Sequence, residues 1–175
     1  MSEFRYFAEP HGPSSTWTDA ARTCDLCGEV RAGYEGPYYG IEEIDFVCEP
    51  CLSSGRLAER DATANDGGAN VADPARRAEL EQRTPHVSTW QDWVWPAHCG
   101  DFCRFEREAG QQELIEAAPD GYGPAFLAAH LDPAEAPLEW DWVPPSLAGD
   151  AGFEVGVYLF RCLVCGAPVV RWDAA

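Results

Sequence analysis

Eight cysteines fall into four close pairs, and paired thiols of this kind are above all metal ligands. Cys24 and Cys27 are followed by Cys48 and Cys51 in a C-x2-C-x20-C-x2-C array, the spacing of a four-thiolate zinc site. Cys162 and Cys165 form a third C-x2-C, and Cys99 and Cys103 stand four apart. On a helix, residues four apart share a face, so Cys99 and Cys103 could complete a second tetrahedron with the distant pair. The competing reading makes Cys99 and Cys103 small buried hydrophobes. His98 is the substitute ligand if Cys99 is not one. The expectation is two structural zinc ions, one on Cys24, Cys27, Cys48 and Cys51, the other on Cys99, Cys103, Cys162 and Cys165.

Disulfides would require an oxidising compartment. Met1 to Pro10 contains no apolar segment of signal-peptide type, and no apolar run reaches the length of a membrane span. The expected location is therefore the cytoplasm, without membrane insertion, where thiols stay reduced and free to bind metal. A redox C-x-x-C is expected singly, at a helix start within a βαβ pattern, and that pattern is hard to find here.

The elements that must position these ligands are short. With 175 residues, 46% hydrophobic, and seven Trp, the chain can bury a core that zinc would staple rather than replace. Gly28 closes the first knuckle, because two thiols of one C-x-x-C reach the same ion only through a tight turn. Phe4 to Phe7 and Ile44 to Val47 read as strands. A short helix is expected through Leu57 to Glu59, and further helices over 75–83, 111–118 and 123–130. Val155 to Phe160 and Val169 to Trp172 read as a hairpin around the last knuckle. Trp140 and Trp142 are expected to cover the core. The polar segment Asp61 to Pro74 lacks a hydrophobic period and reads as a flexible linker or loop. The fold expected is α+β, with zinc-ribbon-like knuckles, short antiparallel strands and several short helices. Its parts are a zinc-ribbon-like segment over 1–58, a linker over 59–74, and a helix-and-hairpin part over 75–175, packed as one domain.

Charge is the second signal. Thirty acidic residues face twelve basic ones, all Arg, for a formal charge of -18. From Glu108 to Glu154, ten acidic side chains occur without one Lys or Arg. Such a surface repels phosphate backbones, which argues against nucleic acid and for a basic protein as partner. The alternative is that the acidity serves solubility alone. Trp90, Trp93 and Trp95 either line a binding surface or, at near-alternate spacing, belong to the core.

Five stretches carry a family resemblance: Tyr34-Glu35-Gly36-Pro37-Tyr38-Tyr39 with Glu42-Glu43; Cys48-Glu49-Pro50-Cys51; Arg83-Thr84-Pro85 with Trp90-Gln91; Ala97-His98-Cys99-Gly100-Asp101-Phe102-Cys103; and Tyr158 to Gly166 (YLFRCLVCG). Together they resemble the uncharacterised bacterial family of the colicin tolerance protein CbrC. The resemblance implies a small intracellular zinc-binding protein linked to toxin tolerance or envelope stress, and no established chemistry.

Three functions follow as expectations. All-thiolate sites are closed, which favours a non-enzymatic binding protein with no catalytic residue. A metal-dependent hydrolase would centre on His98 and Asp101 beside a three-cysteine zinc. A redox sensor would signal through zinc loss.

Overall fold

The computed structural model describes residues 3–133, 135–146 and 154–175. It is an α+β fold built on two antiparallel sheets. The first contains β1 (Trp17–Thr23), β2 (Val30–Glu35) and β3 (Phe46–Cys48), and β3 runs directly into α1 (Glu49–Ser53). A 3-10 turn over Arg56–Arg60 follows, then α2 (Pro74–Arg83), whose N-terminus is capped by Asp73 accepting from the Ala75 amide at 2.9 Å. The second sheet contains β4 (Ala97–His98), β5 (Asp101–Glu108), β6 (Val155–Cys162) and β7 (Pro168–Ala174) in chain order. Two short helices, α3 (Gln111–Ala117) and α4 (Gly123–His130), lie between β5 and β6.

β6 shows why its sequence reads as an almost unbroken apolar run. Successive side chains point to opposite faces of a strand. Tyr158 and Phe160 enter one core, and Val157 and Leu159 enter another, so β6 is buried on both faces. The first core takes Tyr34 and Val47 from the first sheet and Phe102 and Phe105 from the second. Its aromatic rings meet edge to face, Trp95 on Phe160 and Phe105 on Phe160, each pair at 5.4 Å between centroids. The second core packs Leu114 of α3 and Phe126 and Leu127 of α4 against β6 and β7.

Three expectations change. Phe4 to Phe7 is not a strand; one bridge, Phe7 to Phe105, joins it to β5. The stretch expected to be a flexible linker is instead tethered to the core. Ala62, Ala64, Asn65 and Val71 are buried, Thr63 bridges Tyr39, and Asp66 bridges Val94. Small residues contribute little to a hydrophobic pattern, so their burial left no period to read. Trp140 packs on the second core, whereas Trp142 is exposed.

One buried carboxylate ties the N-terminal segment to the second sheet. Asp101 accepts from Arg5 Nη2 at 2.8 Å, the Tyr6 hydroxyl at 2.9 Å and the Phe102 amide at 2.9 Å. Replacing Asp101 by Asn keeps the shape and removes the charge that the Arg5 guanidinium and two neutral donors share. The half-exposed Arg5 limits the loss, since water screens that partner. Asp101→Asn should cost about 1–3 kcal/mol, read as a lower urea midpoint with an unchanged slope.

Candidate metal centres

Among the described residues two groups of four ligand atoms form, each with all atoms within 4.8 Å of one another: Cys24, Cys27, Cys48 and Cys51, and His98, Cys99, Cys162 and Cys165. Each is built by a C-x-x-C-G turn facing a second segment. The two turns share one backbone design. The Gly28 amide donates to the Cys24 carbonyl at 2.8 Å, and the Gly166 amide to the Cys162 carbonyl at 3.0 Å. The Cys24 amide then donates to Glu29 O, and the Cys162 amide to Ala167 O, so each turn is closed twice. Gly28 and Gly166 have φ of 74° and 76°, a left-handed conformation that disfavours any residue with a Cβ.

The facing segments differ. At the first centre, Cys48 ends β3 and Cys51 lies in α1, one helical turn on. At the second, Cys99 and Gly100 form the two-residue turn of the β4–β5 hairpin, between paired His98 and Asp101. Both turn residues have positive φ, 54° and 76°, as a type I′ turn requires. Cys99 thus adopts a conformation costly for a side chain, at the point where its sulfur meets Cys162 and Cys165.

The second group contains His98 and Cys99 and leaves out Cys103, which corrects the expected ligand set. The segment is a hairpin rather than a helix. An extended strand separates residues four apart by up to about 13 Å, too far for two sulfurs on one ion. Cys103 lies within β5, paired with Cys162 in register, and is fully buried in the first core. Burial pushes its thiol up to about 12. The reading of Cys103 as a buried small hydrophobe is the one its surroundings match.

The donor geometry fits a tetrahedral ion. Metal–sulfur bonds of 2.3 Å place two tetrahedral sulfurs about 3.8 Å apart. The Cys27 and Cys48 sulfurs are 3.8 Å apart. His98 Nδ1 lies 3.2 Å from Cys99 Sγ and 3.4 Å from Cys165 Sγ. Backbone amides also favour thiolates here. Burial opposes the thiolate of Cys24, but amides of Cys48, Leu26 and Cys27 outweigh it and lower its pKa to about 7. At Cys162 burial again opposes the charge, yet the Cys165 and Val164 amides prevail and lower it to about 6. Cys99 is raised to about 11, chiefly through a hydrogen bond with Cys165. In each group the first cysteine of the turn is thereby biased toward the thiolate, the form that binds a metal ion. Both groups can hold a metal ion, the first with three of its cysteines buried, the second with only Cys162 buried.

The remaining expected site residues lie apart. The Asp101 carboxylate turns inward to Arg5 and Tyr6. Trp95 is buried, its Nε1 donating to the Cys103 carbonyl at 2.7 Å, while Trp93 is half-buried and Trp90 exposed. All eight cysteines are free.

Over residues 1–174 the chain matches the model of UPF0167, an uncharacterised protein family. The chain belongs to this family. It is 31% identical over 187 residues to the UPF0167 proteins Mb2317 of Mycobacterium bovis and MT2352 of Mycobacterium tuberculosis, covering 100% of this chain and 94% of each relative. It is 28% identical over 173 residues to UPF0167 protein PA1536 of Pseudomonas aeruginosa, covering 95% of this chain and 93% of that one. No solved structure matches. The family description names no activity.

Titrating the metal-free chain with cobalt(II), a coloured tetrahedral probe, should saturate at two ions. Cys103→Ala should leave that stoichiometry unchanged, and Cys99→Ser should reduce it to one. Loss of the second ion in Cys103→Ala instead would reverse the ligand assignment.

Proposed function

We propose that this is a non-catalytic, cytoplasmic zinc protein whose two ions are structural and whose acidic surface engages a basic protein partner. The observation that carries the reading is that each group supplies four protein ligands. A tetrahedral ion with four protein ligands has no open position at which to activate water or polarise a substrate. Zinc is favoured because thiolate-rich tetrahedral sets suit it. The hydrolase alternative loses support, because Asp101 is held by Arg5 and Tyr6 rather than standing free beside the metal. No helix among the described residues is long and apolar enough to cross a membrane.

The acidic surface is smaller than charge counting suggests. Asp132 and Glu135 surround Arg171, and Glu113 accepts the Gly110 amide at the start of α3. Glu116, Asp120, Glu139 and Asp141 remain exposed on the helical lobe, which also exposes Ile115, Tyr122 and Trp142. Carboxylates with exposed aromatic surface suit a basic protein: charge speeds encounter, and apolar contact holds it. The resemblance to the colicin tolerance family makes a basic toxin domain one such partner.

Elemental analysis should find two zinc ions per chain, and removing them with a chelator should unfold at least part of the protein, since structural zinc supplies on the order of 10 kcal/mol of folding energy. The zinc-loaded chain should not hydrolyse nucleic acids, esters or peptides; turnover lost in His98→Ala with the fold intact would overturn the non-catalytic reading. Neutralising Glu116, Asp120, Glu139 and Asp141 together should slow capture of a basic partner and flatten its salt dependence while zinc content stays at two. An association rate indifferent to all four changes would move the surface elsewhere.

A further inference from the structure

A cavity of about 500 Å3, separate from both metal centres, opens where the 61–73 loop and α2 meet the Trp-rich segment. Its size is that of a small-molecule site. Asn65, Asp66, Glu81, His86, Asp92 and Trp93 are among its lining residues, and no Arg is.

The wall is rich in hydrogen-bond acceptors and poor in donors. Asn65 Nδ2 donates to the carbonyls of Leu80, Thr84 and Pro85 at 3.2, 2.9 and 3.3 Å, which fixes the orientation of the amide. Its Oδ1 is left with no donor among the described residues. His86 Nδ1 lies 3.0 Å from the Ala64 carbonyl, so that nitrogen carries the proton and Nε2 offers a bare lone pair. Burial favours this neutral form of the ring. Nε2 likewise has no protein partner, although His86 is only 7% exposed and Asn65 only 4%.

Three carboxylates add negative charge. Asp66 accepts the Gly68 amide at 2.7 Å, Asp92 accepts the Tyr39 hydroxyl, and Glu81 makes only a 3.4 Å contact with Arg77. Acceptors that lack protein donors and line a cavity are free to take N–H or O–H groups from a molecule that enters it. Trp93 adds an aromatic side chain to the lining, a surface on which an organic cation can also rest. His86 and the carboxylates form no group of three within 4.8 Å as the ligands of the two metal groups do. The spread of acceptors suits an extended cation rather than a bare metal ion.

The geometry points to a binding site for a small organic cation, a guanidinium or primary amine compound, whose N–H groups meet Asn65 Oδ1, His86 Nε2 and the carboxylates of Glu81 and Asp92. This assignment is independent of the partner reading above.

Agmatine, which carries both a guanidinium and a primary ammonium, is the probe. Titrated calorimetrically into the zinc-loaded full chain, it should bind at one saturable site. Glu81→Gln and Asp92→Asn should each weaken binding about ten-fold, with zinc content and the melting temperature of the ligand-free chain unchanged. Asp92 lies in the exposed segment, so its variant keeps the test available if Glu81→Gln fails to fold. No saturable binding, binding indifferent to both substitutions, or equal competition by magnesium would each overturn the assignment.

Discussion

At two places four side-chain ligand atoms lie close enough together to share one metal ion, and the short elements of this fold deliver them there. β3 has three residues and β4 two, lengths at which strand pairing alone stabilises little. Yet β3 delivers Cys48, and the β4–β5 hairpin delivers His98 and Cys99. The chain accepts positive φ at Cys99, and each C-x-x-C-G turn aims amides at its first sulfur. Such features make physical sense when a cation offsets the clustered thiolates.

The two centres sit in different surroundings. The first lies beneath the 3-10 turn that follows α1, where Arg56 reaches Cys51 Sγ at 3.5 Å, and its sulfurs are mostly shielded. The second lies at the tip of the second sheet, with His98, Cys99 and Cys165 exposed. Directly after that turn, Asp101 ties the hairpin to the N-terminal segment. Position along the strand therefore separates the roles of adjacent residues: Cys99 at the turn faces the ligand group, Asp101 anchors the strand, and Cys103 fills the core.

Much of the scaffold was legible in the sequence where side-chain type and spacing act locally. The C-x-x-C-G turns, α2, α3, α4 and the β6–β7 hairpin all follow from periodicity, caps and glycine placement. The hairpin holding His98 and Cys99 is obscured in the sequence, because two cysteines four apart also fit a helical face and the charged end of β5 hides its strand pattern. The decisive local signal was Gly100, which with Cys99 makes a two-residue turn. β1 leaves five of its seven residues exposed, so no alternation marks it. The burial of Ala64 and Asn65 goes with hydrogen bonds to distant α2 and is not legible in a polar, small-residue composition.

Zinc-edge X-ray absorption on the purified protein tests the central claim most directly, because it counts donor atoms by element. The account predicts two tetrahedral ions sharing seven sulfurs and one nitrogen. A shell of sulfur alone would return Cys103 to the second centre, and an oxygen donor would reveal an open coordination position; either result would contradict the account.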